Sequence, residues 1–148
     1  ARRFARRTGF GVVVASMSGS LLAYGFGTPP AWVHDAAGAE LWALYFVACT
    51  NPVLPRVVTD CLGLLHGLQF GLAAVTRPKA RLARTWRMVG HALDCGFHEA
   101  SRMVTWMSAH CAAKAIGSTM DSNGQVVTAL MWRANRLVDL LAKAAARP

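Results

Sequence analysis

Hydrophobic and polar positions divide the chain into a β-rich front and a helical remainder. The run GFGVVVAS (Gly9 to Ser16) is apolar and β-branched, which predicts a strand. Met17 to Ser20 supply turn residues, and Leu21 to Gly27 (LLAYGFG) predicts a second strand, so the two make a hairpin. Pro29 and Pro30 end it, and Ala31 to Asp35 (AWVHD) predicts a short third strand at the edge. From Ala36 to Cys49 the pattern turns helical, with Ala39, Leu41, Trp42, Leu44, Tyr45, Phe46 and Ala48 apolar and Asn51-Pro52 as the stop.

Arg56 to Thr59 is a compact β-branched run ending at Asp60. Leu62, Leu65, Leu68 and Leu72 then recur at helical spacing, predicting one helix from Cys61 to about Val75. Pro78 breaks the chain, Arg81 to Leu93 predicts another helix, and Arg102 to Met107 (RMVTWM) a strand. Cys111 to Gln125 is rich in Gly, Ser, Asp and Asn and predicts a long loop, with Asp121 as a turn residue. Leu130 to Ala146 carries Ala134, Leu137, Val138, Leu141 and Ala145 on one helical face. There is no internal repeat. The order predicts a single α/β domain: an antiparallel hairpin, then parallel strands with crossover helices.

Composition narrows the function. The 148 residues are 54% hydrophobic and 16% charged, which excludes a disordered linker. Sixteen Lys and Arg against seven Asp and Glu leave a net charge of +9, so an anionic partner is expected, nucleic acid or an anionic membrane surface. Mean hydropathy of +0.32 makes the membrane worth testing. The uncharged stretches Thr8 to Val33 and Leu41 to Pro55 are interrupted by glycines, serines and prolines, and neither suits a spanning helix. Cys49, Cys61, Cys95 and Cys111 are widely spaced with no zinc-type pattern; they are expected as buried free thiols of an intracellular chain, cytoplasmic or nuclear. The chain starts at Ala1 with Arg2, Arg3, Arg6 and Arg7 close behind, which suggests a piece of a longer parent.

Each acid has a dull explanation. Glu40 falls in the first turn of its helix, where a carboxylate offsets the dipole. Asp60 precedes a helix and suits an N-cap. Asp139 can pair with Lys143 or Arg136 on its own helix. Together they say more. Asp60 ends a strand at the edge where α/β sheets place ligands, and Asn135 stands four residues before Asp139. Three converging carboxylates would repel one another, and a hard divalent ion with oxygen ligands relieves that penalty.

AEL-W-AL (Ala39 to Leu44), VVTD (Val57 to Asp60), W-MSAH (Trp106 to His110) and N-RLVDLLA (Asn135 to Ala142) follow in that order. This series resembles the type 1 ribonuclease H domain of retroelement polyproteins, over nearly the whole chain. The resemblance implies a ribonuclease H-like mixed central sheet flanked by helices. It implies an endonuclease that hydrolyses the RNA strand of an RNA–DNA hybrid with two Mg²⁺ (or Mn²⁺) ions. Glu40, Asp60 and Asp139 match the metal-binding catalytic acids, His110 the family's proton-transfer or product-release histidine, and Asn135 the N-x-x-x-D asparagine. One member is missing. The family's first metal ligand is an Asp in the opening strand, and no acid here precedes Asp35. Weak or absent cleavage is therefore expected unless a longer parent supplies that Asp.

Arg77, Lys79, Arg81, Arg84 and Arg87 crowd one segment with Trp86 among them; on a helix Arg77, Arg81 and Arg84 share a face, as do Arg84 and Arg87, a stripe expected to follow phosphates, and Arg133 and Arg136 are candidates for backbone contact near the acids. The other tryptophans and Phe10, Phe26, Phe46 and Phe70 are assigned to the core or its edge. The competing reading is a basic nucleic-acid-binding or scaffolding module of the same fold without chemistry. A membrane-associated peptide comes third.

Overall fold

The computed structural model describes residues 7–109 and 111–148. It is an α/β chain. Strands β1 (Phe10–Ala15) and β2 (Leu21–Gly27) pair antiparallel, and β3 (Val57–Thr59) pairs parallel with β4 (Val104–Trp106). The helices are α1 (Ala36–Thr50), α2 (Leu62–Phe70), α3 (Leu72–Val75), α4 (Ala83–Ala92), α5 (Phe97–Met103) and α6 (Ala129–Ala146), with a 3₁₀ turn at Ala113–Ala115. Among the described residues the strands form two sheets of two, not joined by a ladder.

Alternation along β1 decides which helix covers which face. Gly9 and Gly11 point toward α6, and a Cβ on Gly11 would stand 2.7 Å from the Val138 carbonyl oxygen. Phe10 points the other way and meets Phe46 of α1, with ring centroids 5.6 Å apart. The hairpin is thus held between α1 and α6. The main core lies beside it, where Leu41 and Leu44 of α1 pack with Leu64, Leu65 and Leu68 of α2, Trp86 and Val89 of α4, Phe97 and Ala100 of α5, and Val104 of β4.

Caps and breakers set the helix ends. Asp35 Oδ1 accepts the Gly38 N–H at 2.7 Å and starts α1; Thr128 Oγ1 accepts the Met131 N–H at 3.2 Å and starts α6. The predicted third strand at Ala31 to Asp35 is absent: the Val33 N–H turns back to the Pro30 carbonyl, and Asp35 is committed to its cap. The helix predicted from Cys61 to Val75 is two, because Gly71 at φ 94° leaves helical geometry between α2 and α3. The strand predicted from Arg102 keeps only Val104–Trp106; Arg102 and Met103 close α5, an element the sequence pattern did not give.

Other assignments change with burial. All four cysteines are free, as expected, but none is buried: Cys49 is exposed and the other three are half-buried. Phe10 and Trp86 are core, whereas Phe26 and Phe70 are more than half exposed and Phe46 is exposed at the rim of α1. Asp121 is the turn residue expected, its Oδ1 accepting the N–H groups of Asn123 and Gln125. No helix among the described residues is long and apolar enough to cross a membrane.

Candidate acidic site

Asp60 is the residue immediately after β3, and its backbone is pinned from β4. The Met107 N–H donates to the Thr59 carbonyl at 2.9 Å, and the Trp106 indole N–H donates to the Asp60 carbonyl at 3.1 Å. Its side chain is held from α6, where the Asn135 Nδ2–H donates to Asp60 Oδ2 at 3.3 Å. One turn earlier on α6, the Trp132 indole N–H donates to the Cys111 carbonyl at 2.7 Å. Trp132, Asn135 and Asp139 share a helical stripe, so Asp139 lies on the α6 face whose Asn135 reaches Asp60.

Glu40 comes from α1. Burial, then the charges of Asp60 and Asp139, push its carboxyl from 4.5 up to about 7. The Cys61 thiol is also raised, chiefly by burial and further by Glu40 and Asp60, against backbone N–H donors at Leu64 and Gly63 that lower it. Asp60 and Asp139, far away in sequence, thus lie near enough to Glu40 for their charges to oppose its ionisation.

The dull explanations of these acids fail individually. Glu40 lies beyond the first turn of α1, which holds no acid. The N-cap of α2 is Cys61, with no side-chain cap, so Asp60 does not cap it. Asp139 pairs with neither Lys143 nor Arg136: among the described residues the one ion pair is Arg81–Asp35. Arg136 instead lies over the Trp132 ring, 4.9 Å from its centroid. The oxygen-only donor chemistry suits a hard cation. Among the described residues, no three His, Cys, Asp or Glu side chains are gathered closely enough to hold a metal ion. His110 lies outside the described residues.

The basic segment does not form one helical stripe. α4 begins at Ala83, so Arg77, Lys79 and Arg81 precede it, with Lys79 at φ 68°. Three of the five cations are engaged within the chain. Arg81 pairs with Asp35, Arg84 stacks 4.2 Å from the Trp32 ring centroid, and Arg87 donates to the Thr76 carbonyl at 3.1 Å. Arg77 and Lys79 are exposed. The sequence reading missed two participants, the indole of Trp106 that holds the Asp60 backbone and the thiol of Cys61 beside the acids. Both sit within the quoted motifs or next to them, but residue type alone pointed to packing. Comparison with protein-family models, curated proteins and solved structures finds no match.

Proposed function

We propose that the chain is a ribonuclease H-type domain whose acidic locus hydrolyses the RNA strand of an RNA–DNA hybrid. An antiparallel hairpin followed by a parallel strand pair, with α6 packed on the hairpin and reaching Asp60 at the end of β3 through Asn135, is compatible with a ribonuclease H-like fold. The observation that carries the reading is the coupling of Glu40 to Asp60 and Asp139, where no cap, dipole or ion pair accounts for the three acids.

In this reading Glu40, Asp60 and Asp139 would hold Mg²⁺ or Mn²⁺, drawing closer around the ion than they stand in this structure. The ions, when bound, supply a low-pKa water and stabilise the leaving oxygen. The residues' own parts follow from their surroundings. Asn135 donates to the Oδ2 of Asp60, and the Trp106 indole holds its backbone carbonyl. Glu40, whose carboxyl is pushed up to about 7 chiefly by burial, would give up its proton on binding a cation. His110 moves protons or helps product leave. Arg77 and Lys79 meet hybrid phosphates. Since no acid precedes Asp35, these 148 residues lack the family's first carboxylate, and cleavage by them alone is weak or nil.

Acids that lie near one another without gathering into a metal-holding cluster among the described residues, and the missing carboxylate, favour a second reading, a hybrid-binding module of the same fold without chemistry. Hybrid binding with and without Mg²⁺, in the parent chain and in Asp60→Asn, separates the two. The nuclease reading expects Mg²⁺ to strengthen binding and Asp60→Asn to abolish that gain. Binding indifferent to both changes supports the module.

A further inference from the structure

Strand β4 has a neighbour on its outer edge that is a turn, not a strand. Along an extended chain, successive residues send their main-chain groups to opposite edges. Met107 faces inward, its N–H donating to the Thr59 carbonyl at 2.9 Å. Trp106 therefore turns its N–H and carbonyl outward, where no strand among the described residues pairs with it. Ser122 engages both groups. Its Oγ accepts the Trp106 N–H at 2.8 Å, and its own N–H donates to the Trp106 carbonyl at 2.9 Å. Beside it, the Asn123 Nδ2–H donates to Thr105 Oγ1 at 2.8 Å. The turn is itself braced. Met120 and Val126 form a bridge, the Asp121 N–H donates to the Gln125 carbonyl at 2.7 Å, and the fully buried Val127 donates its N–H to the Thr119 carbonyl at 2.8 Å.

We propose that Ser122 is a positioning residue for the acidic site, holding Trp106 in the place from which its indole holds Asp60. The inference deepens the reading of the acidic locus given above and rests on it. Trp106 is the joint: Ser122 fixes its main chain, and its indole N–H donates to the Asp60 carbonyl at 3.1 Å. The carboxylate of Asp60 is held by a different element, through Asn135 of α6. Backbone and side chain of Asp60 are thus set independently, and loosening the first changes where the second finds its oxygen. The hydroxyl of Ser122 is the part that matters. An aliphatic side chain at this position leaves the outward N–H of Trp106 with no acceptor from the turn, whereas threonine supplies the same oxygen. Ser122 is exposed, so its replacement opens no hole in the core.

Nuclear magnetic resonance of the full chain tests the proposal, because the Trp106 indole proton and the Asp60 carbonyl carbon both report the bond between them. Ser122→Ala is expected to move both resonances upfield, as a lengthened hydrogen bond does, and Ser122→Thr to return them to the parent positions. Where Ser122→Ala loses its fold by circular dichroism, Ser122→Cys, whose thiol is a weak acceptor, takes its place. Mg²⁺ affinity is expected to fall about tenfold in Ser122→Ala and to recover in Ser122→Thr. A folded variant whose two resonances stay in place overturns the proposal, even where its melting temperature falls, since a merely structural role predicts that outcome. Resonances that Ser122→Thr does not restore, or Mg²⁺ binding in Ser122→Ala as tight as in the parent, overturn it too. A parent chain that binds no Mg²⁺ contradicts the metal reading alone, and the shifted resonances then still uphold the hold of Ser122 on Asp60.

Discussion

Glu40 shows how a single side chain reports on its surroundings. Its carboxyl titrates near 7 because burial and two neighbouring carboxylates oppose its charge. Between pH 4.5 and about 7 the folded chain holds a proton that the unfolded chain has released. The stabilisation from that proton is full below 4.5 and is lost as pH rises through 7, a change on the order of 3 kcal/mol. Glu40→Gln removes the charge and keeps the shape. Urea denaturation at pH 5 and pH 8 is expected to show the parent chain losing more stability between them than the variant, and the variant more stable at pH 8. Equal pH dependence in both would mean that Glu40 is neither buried nor faced by the other acids. No distance between residues 40, 60 and 139 can be read from order and element type, and each acid alone reads as a cap, a dipole partner or a surface pair. Contacts at long separation, such as Asn135 with Asp60, decide otherwise.

At the level of elements, local chemistry was legible and tertiary choice was not. The hairpin, α1, α4 and α6 follow from β-branched runs and helical spacing, whereas the caps at Asp35 and Thr128 emerge only in the structure. Residues 31–35 and the split at Gly71 were misread because one depends on a turn closed by Pro30 and the other on a single left-handed φ. α5 was missed since its seven residues hold only Phe97 and Ala100 as buried anchors. The seating of α6 on β1 depends on Gly11, where a side chain would strike the helix backbone. Gly11→Ala is expected to cost about 1–3 kcal/mol by overpacking, read as a lower melting temperature. It should also weaken the pairing of Asn135 with Asp60, since the same helix carries both contacts. An unchanged melting temperature would contradict this packing.

For the whole molecule, charge and acidic locus make separate demands. A net +9 favours an anionic polymer, but Arg81, Arg84 and Arg87 are engaged by Asp35, Trp32 and Thr76. Hybrid binding is therefore expected to rest more on Arg77 and Lys79 than the crowding of the segment suggests. Arg77→Ala with Lys79→Ala should lower the slope of log affinity against log salt by about 2, while Arg81→Ala leaves it nearly unchanged. Fluorescence anisotropy at several salt concentrations reads both; a larger effect from Arg81→Ala would reverse the assignment. The membrane stretches dissolve at this scale too, since their apolar residues are shared among strands, a turn and one helix.

The most direct test of the acidic locus is calorimetric titration of Mg²⁺ at pH 6.5, repeated in buffers of different ionisation enthalpy. If Glu40, Asp60 and Asp139 share a hard cation, binding is saturable, releases up to about one proton as Glu40 ionises, and disappears in Asp60→Asn. Absence of saturable binding, or binding that Asp60→Asn leaves untouched and that releases no proton, would contradict the account.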